Sequence, residues 1–198
     1  MNELRGKRIA IAVTGSFCTF DSVFEALEDL SDAELYPILS DNVYTMDTRF
    51  GTAVSIRTRL EKICGRGCWH TIQEVEPIGP QKLMDLVIVA PCTGNTLAKI
   101  ALGVTDTPVV MAVKSQLRNA RPVLIGISTN DGLSGSAKNI GLLMERKDLY
   151  FIPFAQDDPI RKSASLVLEV SDLRDAALSA LRGEQLQPVL KTRVINKL

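Results

Sequence analysis

Short apolar runs alternate along this chain with longer segments in which apolar residues recur every three or four positions. A continuous run of β-branched and apolar residues is typical of a buried strand, whereas the wider spacing is typical of an amphipathic helix. The runs predict strands over residues 8–14, 34–39, 85–90, 122–128 and 149–154. The spaced segments predict helices over residues 20–30, 49–64, 95–102, 108–118, 138–146 and 163–181.

Nearly continuous apolar strands that alternate with helices indicate a parallel sheet covered on both faces. We therefore predict an α/β fold: a doubly wound parallel sheet in a Rossmann-like or flavodoxin-like three-layer sandwich. Pro37 lacks the N–H group that a central strand needs, so we expect either that the second strand lies at an edge of the sheet or that Pro37 lies near the end of its strand. Residues 65–80 are rich in glycine and proline and are predicted to form a loop. We predict one domain over residues 1–182, followed by a polar tail over residues 183–198.

Polar turns follow the first four predicted strands. They are Thr14-Gly15-Ser16, Ser40-Asp41-Asn42, the segment 93–96 and the segment 128–132. Because the carboxyl ends of parallel strands meet at one edge of a sheet, these turns are expected to line a single crevice. The residues expected around it are Gly15, Ser16, Ser40, Thr93, Asn95 and Asn130.

A row of neutral donors and acceptors of this kind suits a mononucleotide with a phosphate, a ribityl or ribose chain and a flat ring. The dinucleotide fingerprint Gly-x-Gly-x-x-Gly is absent, and no obvious nucleophile–base pair accompanies the turns. Each turn taken alone is also explained as an ordinary helix cap, with Thr93 or Asn95 as the capping residue of the central one.

Composition narrows the function classes. Lys plus Arg and Asp plus Glu number 23 each, so the formal net charge is zero and nothing electrostatic favours nucleic acid or an anionic membrane. No apolar run approaches membrane-spanning length, and the first residues carry no apolar signal core. The protein is therefore expected in the cytoplasm.

The four cysteines follow no zinc or disulfide spacing. Cys64, Cys68 and His70 resemble three metal ligands, but no second pair completes a structural site, and His70 is the only histidine. We predict no metal site and four reduced thiols.

Three segments carry a resemblance to a known family. Val13-Thr14-Gly15-Ser16, the central loop over residues 90–101, and Asn130 followed by Asn139 resemble the flavoprotein family of FMN-binding cysteine decarboxylases. That family typically has Pro-Ala-Ser-Ala-Asn-Thr in the central loop and Pro-x-Met-Asn-x-x-Met near the later asparagine. The likeness spans roughly residues 8–155.

The resemblance implies bound FMN, a catalytic role for Asn130, and a homo-oligomer built on trimers. It places the FMN-binding residues at Gly15, Ser16, Ser40, Cys92, Thr93, Gly94, Asn95 and Thr96.

Four segments are similar to one branch of that family, whose members take part in dipicolinate synthesis in spore-forming bacteria. They are residues 76–80, 91–96, 128–131 and 154–159. The branch implies oxidation of a dihydrodipicolinate-type intermediate together with a second protein that resembles nicotinamide-dependent dehydrogenases and would carry NAD(P). The alternatives are an FMN-dependent decarboxylase of a cysteine-containing substrate, or a non-catalytic flavin-binding or structural component.

The chain departs from the decarboxylase pattern at its histidine. The family places a catalytic histidine near the position of residues 76–78, whereas His70 lies several residues earlier. Cys92 and Gly94 replace the serine and alanine of the central loop, and Ile127 and Thr129 replace the proline and methionine of the later motif. Decarboxylation of cysteine is therefore not expected.

A diacid substrate needs cationic partners. Four cations are candidates near the crevice, with solvated helix surface as the alternative interpretation. They are Lys99, Lys114, Arg118 and Arg121.

Overall fold

Five parallel strands form the centre of the molecule, which we describe over residues 3–192 of a computed structural model. The strands of the described chain are β1 Arg8–Val13, β2 Glu34–Leu39, β3 Leu86–Cys92, β4 Val123–Thr129, β5 Leu149–Phe151, β6 Phe154–Asp158 and β7 Lys162–Leu168. β1 pairs with β2 and β3, β3 pairs with β4, and β4 pairs with β5, all in parallel. This order, 2-1-3-4-5, is that of a flavodoxin-like sheet.

Helices cover both faces of the sheet. They are α1 Phe20–Glu28, α2 Asp41–Thr45, α3 Ala53–Cys64, α4 Ile72–Val75, α5 Gly94–Leu102, α6 Pro108–Arg118, α7 Ala137–Met144 and α8 Leu173–Leu181. Alternate residues of β1 enter different apolar clusters, Ile9 and Ile11 packing with α1, α3 and α8, and Ala10 and Ala12 with α5, α6 and α7. The predicted three-layer α/β sandwich is thus confirmed.

Local signals set several helix boundaries. Thr107 accepts the Val110 N–H and Pro108 occupies the first helical position, as the sequence predicts for α6. α3 begins at Ala53 rather than 49 because the Thr52 side chain accepts the Ser55 N–H. The predicted loop over 65–80 contains α4, which begins with a reciprocal capping box between Thr71 and Glu74.

The prediction of a helix over 163–181 is wrong in its first half. Residues Lys162–Leu168 form β7, and α8 begins only at Leu173. β7 pairs in antiparallel fashion with β6 and, through Ser128 and Thr129, with the carboxyl end of β4. The predicted strand 149–154 is likewise divided into β5 and the start of β6. An antiparallel hairpin therefore extends the parallel sheet at its carboxyl edge.

Backbone bonding at the outer strands involves residues outside regular strands. Trp69 donates its N–H to the Pro37 carbonyl and accepts the Leu39 N–H, so it bridges to β2, which lies at the end of the strand order as Pro37 indicated. At β5, the Gln185 side chain bonds both the N–H and the carbonyl of Phe151, each at 2.8 Å.

Residues beyond α8 run beside β6. The Phe154 N–H donates to the Val189 carbonyl, and the Lys191 N–H donates to the Phe154 carbonyl. The Lys191 ammonium also lies 3.1 Å from the Asp172 carboxylate. This part of the predicted tail therefore contacts the sheet, whereas residues 193–198 lie outside the described residues. Within residues 3–192 no helix is long and apolar enough to cross a membrane.

One ion pair joins distant parts of the fold. Arg174 of α8 donates two bonds to Asp32, which lies between α1 and β2, at 2.7 and 3.0 Å, and Asp32 also accepts the Leu4 N–H. The Arg174 guanidinium lowers the pKa of Asp32 below its ordinary value of 3.8. The ionised carboxylate therefore stabilises the folded state.

We expect Asp32→Asn to lower the free energy of unfolding by about 1–2 kcal/mol at neutral pH. Because the folded-state pKa is the lower one, this contribution is fully present above the unfolded-state pKa of about 3.9 and is lost as the pH falls through the folded-state pKa. Urea denaturation at several pH values would measure it. The exposed carboxylate of Glu25 on α1 provides the control, since Glu25→Gln should change stability by less than about 0.5 kcal/mol. A difference between wild type and Asp32→Asn that does not narrow below about pH 4 would contradict this account.

Candidate functional site

The buried hydroxyl of Thr14 joins the carboxyl ends of β1 and β3. It donates to the Pro91 carbonyl at 2.8 Å and accepts the Thr93 N–H at 3.0 Å. The Thr14 N–H also donates to the Pro91 carbonyl, at 3.2 Å. Both polar turns that follow these strands are therefore fixed relative to each other.

The central loop begins later than the apolar pattern predicts. β3 continues through Pro91 and Cys92, with a shift of its register against β4 between Val89 and Cys92. Thr93 caps α5 through the bond from the Thr96 N–H to its hydroxyl. Thr93 is therefore a helix cap, which is the alternative explanation of this turn. The same residue also lines a cleft at this edge of the sheet.

A network of hydroxyl groups holds the turn after β4. The Asp131 carboxylate accepts the hydroxyls of Thr129, at 2.6 Å, and Ser136, at 2.9 Å. These bonds lower the pKa of Asp131, so it is ionised at neutral pH. Ser128 of the same turn lies 2.7 Å, oxygen to oxygen, from Ser16 of the turn after β1. The turns after β1, β3 and β4 are therefore joined by hydrogen bonds.

An open cleft of about 620 Å³ lies at this carboxyl edge. Four of the six residues expected to surround one crevice line it, and they are Gly15, Ser16, Thr93 and Asn130. Further hydroxyls come from Ser128, Thr129 and Ser165, and apolar surface comes from Phe17 and Leu166. Its volume is in the range of small-molecule sites.

The other predicted ligand residues lie outside the lining of this cleft. Cys92 is fully buried in an apolar cluster, which raises the pKa of its thiol. Asn95 is exposed and Thr96 is buried, both on the first turn of α5. Ser40 has a buried hydroxyl oxygen with no hydrogen-bond partner among the described residues, and its N–H donates to the Val13 carbonyl.

Gly94 packs beneath the turn after β4. A Cβ atom at Gly94 would lie 2.6 Å from the Ser136 Oγ, 2.7 Å from the Asp131 Oδ1 and 2.8 Å from the Thr129 Oγ1. Only a residue without a side chain permits this close approach between α5 and the Asp131 network.

One wall of the cleft was not predicted. Asp157 of β6 and Lys162 of β7 line it and form an ion pair at 2.7 Å, and Arg49 lines it from the loop before α3. The signal for the hairpin was present, because Asp158-Pro159 is a common turn sequence and the Asp158 carboxylate accepts the Ile160 and Arg161 N–H groups.

None of the four candidate cations is among the described residues that line the cleft. Arg121 bonds the Met84 carbonyl and lies 3.7 Å from Asp85 at the amino end of β3, and Arg118 packs on Gly79 in the same region. Lys99 pairs with Asp106 at 2.8 Å, away from the lining of the cleft. Lys114 lines a separate small pocket beside the end of α5.

His70 also lies outside the lining of the cleft. Its ring stacks on Tyr44 of α2, with ring centroids 3.7 Å apart and an interplanar angle of 4°. Its Nδ1 is 3.4 Å from the Glu74 carboxylate. Cys64, the last residue of α3, is buried in the core. Within residues 3–192 no group of three cysteine, histidine or acidic side chains could hold a metal ion.

We expect Gly94→Ala to destabilise the fold by about 1–3 kcal/mol, because the new methyl group overlaps the Asp131 network. Gly141 of α7 offers a matched control, since a Cβ there meets nothing within 4 Å and Gly141→Ala should stabilise by about 0.5–1 kcal/mol. Thermal or urea denaturation of both variants measures the difference. Equal effects at both positions would contradict the proposed packing.

The chain has relatives of known family and structure. The flavoprotein family model matches residues 1–140. The B subunit of dipicolinate synthase from Bacillus subtilis is 42% identical over 192 residues, which cover 96% of each chain. The crystal structure of the dipicolinate synthase B subunit from Bacillus halodurans has a TM-score of 0.88 and 39% identity, covering 96% of this chain and 99% of that one.

A more distant structure has the same fold. The FMN-dependent cysteine decarboxylase SpaF has a TM-score of 0.64 at 14% identity, covering 90% of this chain and 98% of that one. At this identity the likeness concerns the fold alone. On the two full-length matches and the family model, the chain belongs to the flavoprotein family and, within it, to the family of dipicolinate synthase B subunits.

Proposed function

We propose that this protein is the flavin-binding B subunit of a dipicolinate synthase, which acts with the A subunit of that enzyme to oxidise a dihydrodipicolinate-type intermediate to dipicolinate. The observation that carries the proposal is the cleft at the carboxyl edge of the sheet, whose lining includes several neutral hydroxyl groups and the Asn130 amide. Its occurrence in a chain 42% identical over its length to a dipicolinate synthase B subunit supports this substrate class.

The residues of the cleft fit FMN. Gly15, Ser16 and Thr93 would hold it from the turns after β1 and β3. The buried hydroxyl of Ser40, beside the first of these turns, has no hydrogen-bond partner among the described residues. Because buried polar groups are normally hydrogen-bonded, this favours a bond from Ser40 to the bound FMN. FMN-dependent relatives in fold are consistent with this assignment. Bound flavin supplies a two-electron acceptor.

The remaining predicted ligand residues have mixed assignments. We assign Cys92, Gly94 and Thr96 to shaping the central loop, because Cys92 and Thr96 are buried and Gly94 packs on the Asp131 network. The exposed amide of Asn95 remains a candidate contact to FMN from the start of α5.

Oxidation of the dihydropyridine ring removes two electrons and two protons and leaves an aromatic ring, which supplies the driving force. This chain needs mainly to bind and orient the diacid. Asn130 lines the cleft, and we assign its amide a catalytic contact with the ring. The NAD(P) acceptor is assigned to the A subunit.

Our expectations for the assembly and the cellular location rest on the same similarity to dipicolinate synthase B subunits. We expect a homo-oligomer built on trimers that binds the A subunit in the cytoplasm of the mother cell of a sporulating bacterium. No nucleic acid or membrane partner is expected of a chain with zero formal net charge.

Reconstitution tests the proposal directly. Dipicolinate formation from the dihydro intermediate should rise at least about tenfold when this chain and FMN are added to the A subunit, and the purified chain should show flavin absorbance. Asn130→Ala should remove about tenfold or more of that activity, as loss of one positioned donor does elsewhere. Gln73→Ala, which removes an exposed amide on α4, is the control and should leave activity unchanged.

The outcomes separate the alternatives. Flavin absorbance with release of carbon dioxide from a cysteine-containing peptide, and no effect on dipicolinate, would instead indicate a decarboxylase. An increase in the activity of the A subunit without flavin absorbance would indicate a structural role.

His70 provides a second test. We expect His70→Asn to change dipicolinate synthesis by less than about tenfold, because the ring stacks on Tyr44 outside the lining of the cleft, whereas a general acid or base contributes about 10²–10⁴-fold. The wild type should not decarboxylate cysteinyl peptides. If His70→Asn abolished activity while circular dichroism and assembly were unchanged, the histidine would be catalytic.

A further inference from the structure

The charged groups of the cleft are few. Among the described residues that line it, only Arg49, Lys162 and Asp157 carry charge, which gives this part of the lining a formal excess of one positive charge. Within residues 3–192 Arg49 forms no ion pair, and its guanidinium lies 4.8 Å from the centroid of the Phe50 ring. The rest of the described lining consists of hydroxyl and apolar groups, the Asn130 amide and the Cys18 thiol, so these two cations are where an anionic ligand group gains most.

The two cations reach the cleft from separate elements. Arg49 belongs to the loop that follows β2 and α2, whereas Lys162 begins β7 and pairs with Asp158 across the hairpin. The neutral donors Ser16 and Thr93 line the same cleft as both positive charges.

Lys162 is paired with its neighbour Asp157. The Asp157 carboxylate, 2.7 Å away, raises the pKa of Lys162, whose ammonium group is charged at neutral pH even without this shift. The same Asp157 repels a ligand carboxylate, so its removal should have the opposite sign to removal of Lys162.

We propose that Arg49 and Lys162 form a pair of carboxylate-binding residues that selects planar dicarboxylates, with each cation binding one of the two carboxylates. This inference rests on the proposed function for the location of the diacid site. An FMN phosphate is an anion as well, but the hydroxyl groups of the first and third strand turns, with a helix following each, suit phosphate. The two cations are then left for the substrate.

Calorimetric titration of the full chain separates the two sources of negative charge. The probes are pyridine-2,6-dicarboxylate, pyridine-2-carboxylate, FMN and riboflavin. Arg49→Gln and Lys162→Gln should each weaken dicarboxylate binding about tenfold, and Asp157→Asn should strengthen it about threefold. Arg161→Gln is the matched control, because Arg161 is the exposed neighbour of Lys162 and lies outside the lining of the cleft.

Selectivity gives a second readout that a general loss of folding would not produce. The wild type should bind the dicarboxylate at least about tenfold more tightly than the monocarboxylate, and either cation variant should reduce that ratio. FMN and riboflavin affinities should stay within about threefold of wild type in both cation variants.

Two results would overturn the proposal. One is weakened FMN binding with unchanged riboflavin and dicarboxylate binding, which would assign the cations to the flavin phosphate. The other is a wild type that binds the two pyridine acids equally. Failure of the proposed function is separately visible, since it would leave selective dicarboxylate binding in place while reconstitution with the A subunit produced no dipicolinate.

Discussion

The two central strands are joined by one buried hydroxyl group at the point where both turn towards their helices. Thr14 satisfies the Pro91 carbonyl and the Thr93 N–H, two backbone groups in the region where the pairing of β3 with β4 shifts register. A buried backbone group without a partner costs about 1–3 kcal/mol, so the path of the central loop depends on this contact. The cap of α5 and the position of Thr93 in the cleft depend on it in turn.

The hairpin of β6 and β7 converts this edge into a cleft. β7 pairs with Ser128 and Thr129, the last residues of β4, and so continues the sheet beyond the point where the parallel strands end. Ser128 in turn contacts Ser16, which connects the hairpin side to the first turn. A wall made of paired backbone is more rigid than a loop, and this wall presents Lys162 and Ser165 to the cleft.

Features with a local cause could be predicted from the sequence. Thr107 and Pro108 determine the start of α6 by themselves, and Pro37 indicates an edge strand because proline has no N–H to donate. β7 could not be predicted in this way, because Lys162–Leu168 becomes a strand through pairing with β6 and β4. The candidate cations of α6, Lys114 and Arg118, lie outside the lining of the cleft. A helix between parallel strands runs back towards the amino edge, so Arg118 at its end lies away from the crevice.

The outer strands of the sheet share one property with consequences for assembly. The backbone groups that face outward from the sheet have partners at each of these strands. Trp69 bonds those of β2, the Gln185 side chain bonds those of β5, and Val189 and Lys191 bond those of β6. An open strand edge is a template for the addition of another chain, and here each edge is occupied at least in part by a segment of the same molecule. The occupied edges therefore oppose strand pairing between two copies of this protein. Contacts between protomers would then form through side chains on the helices and loops.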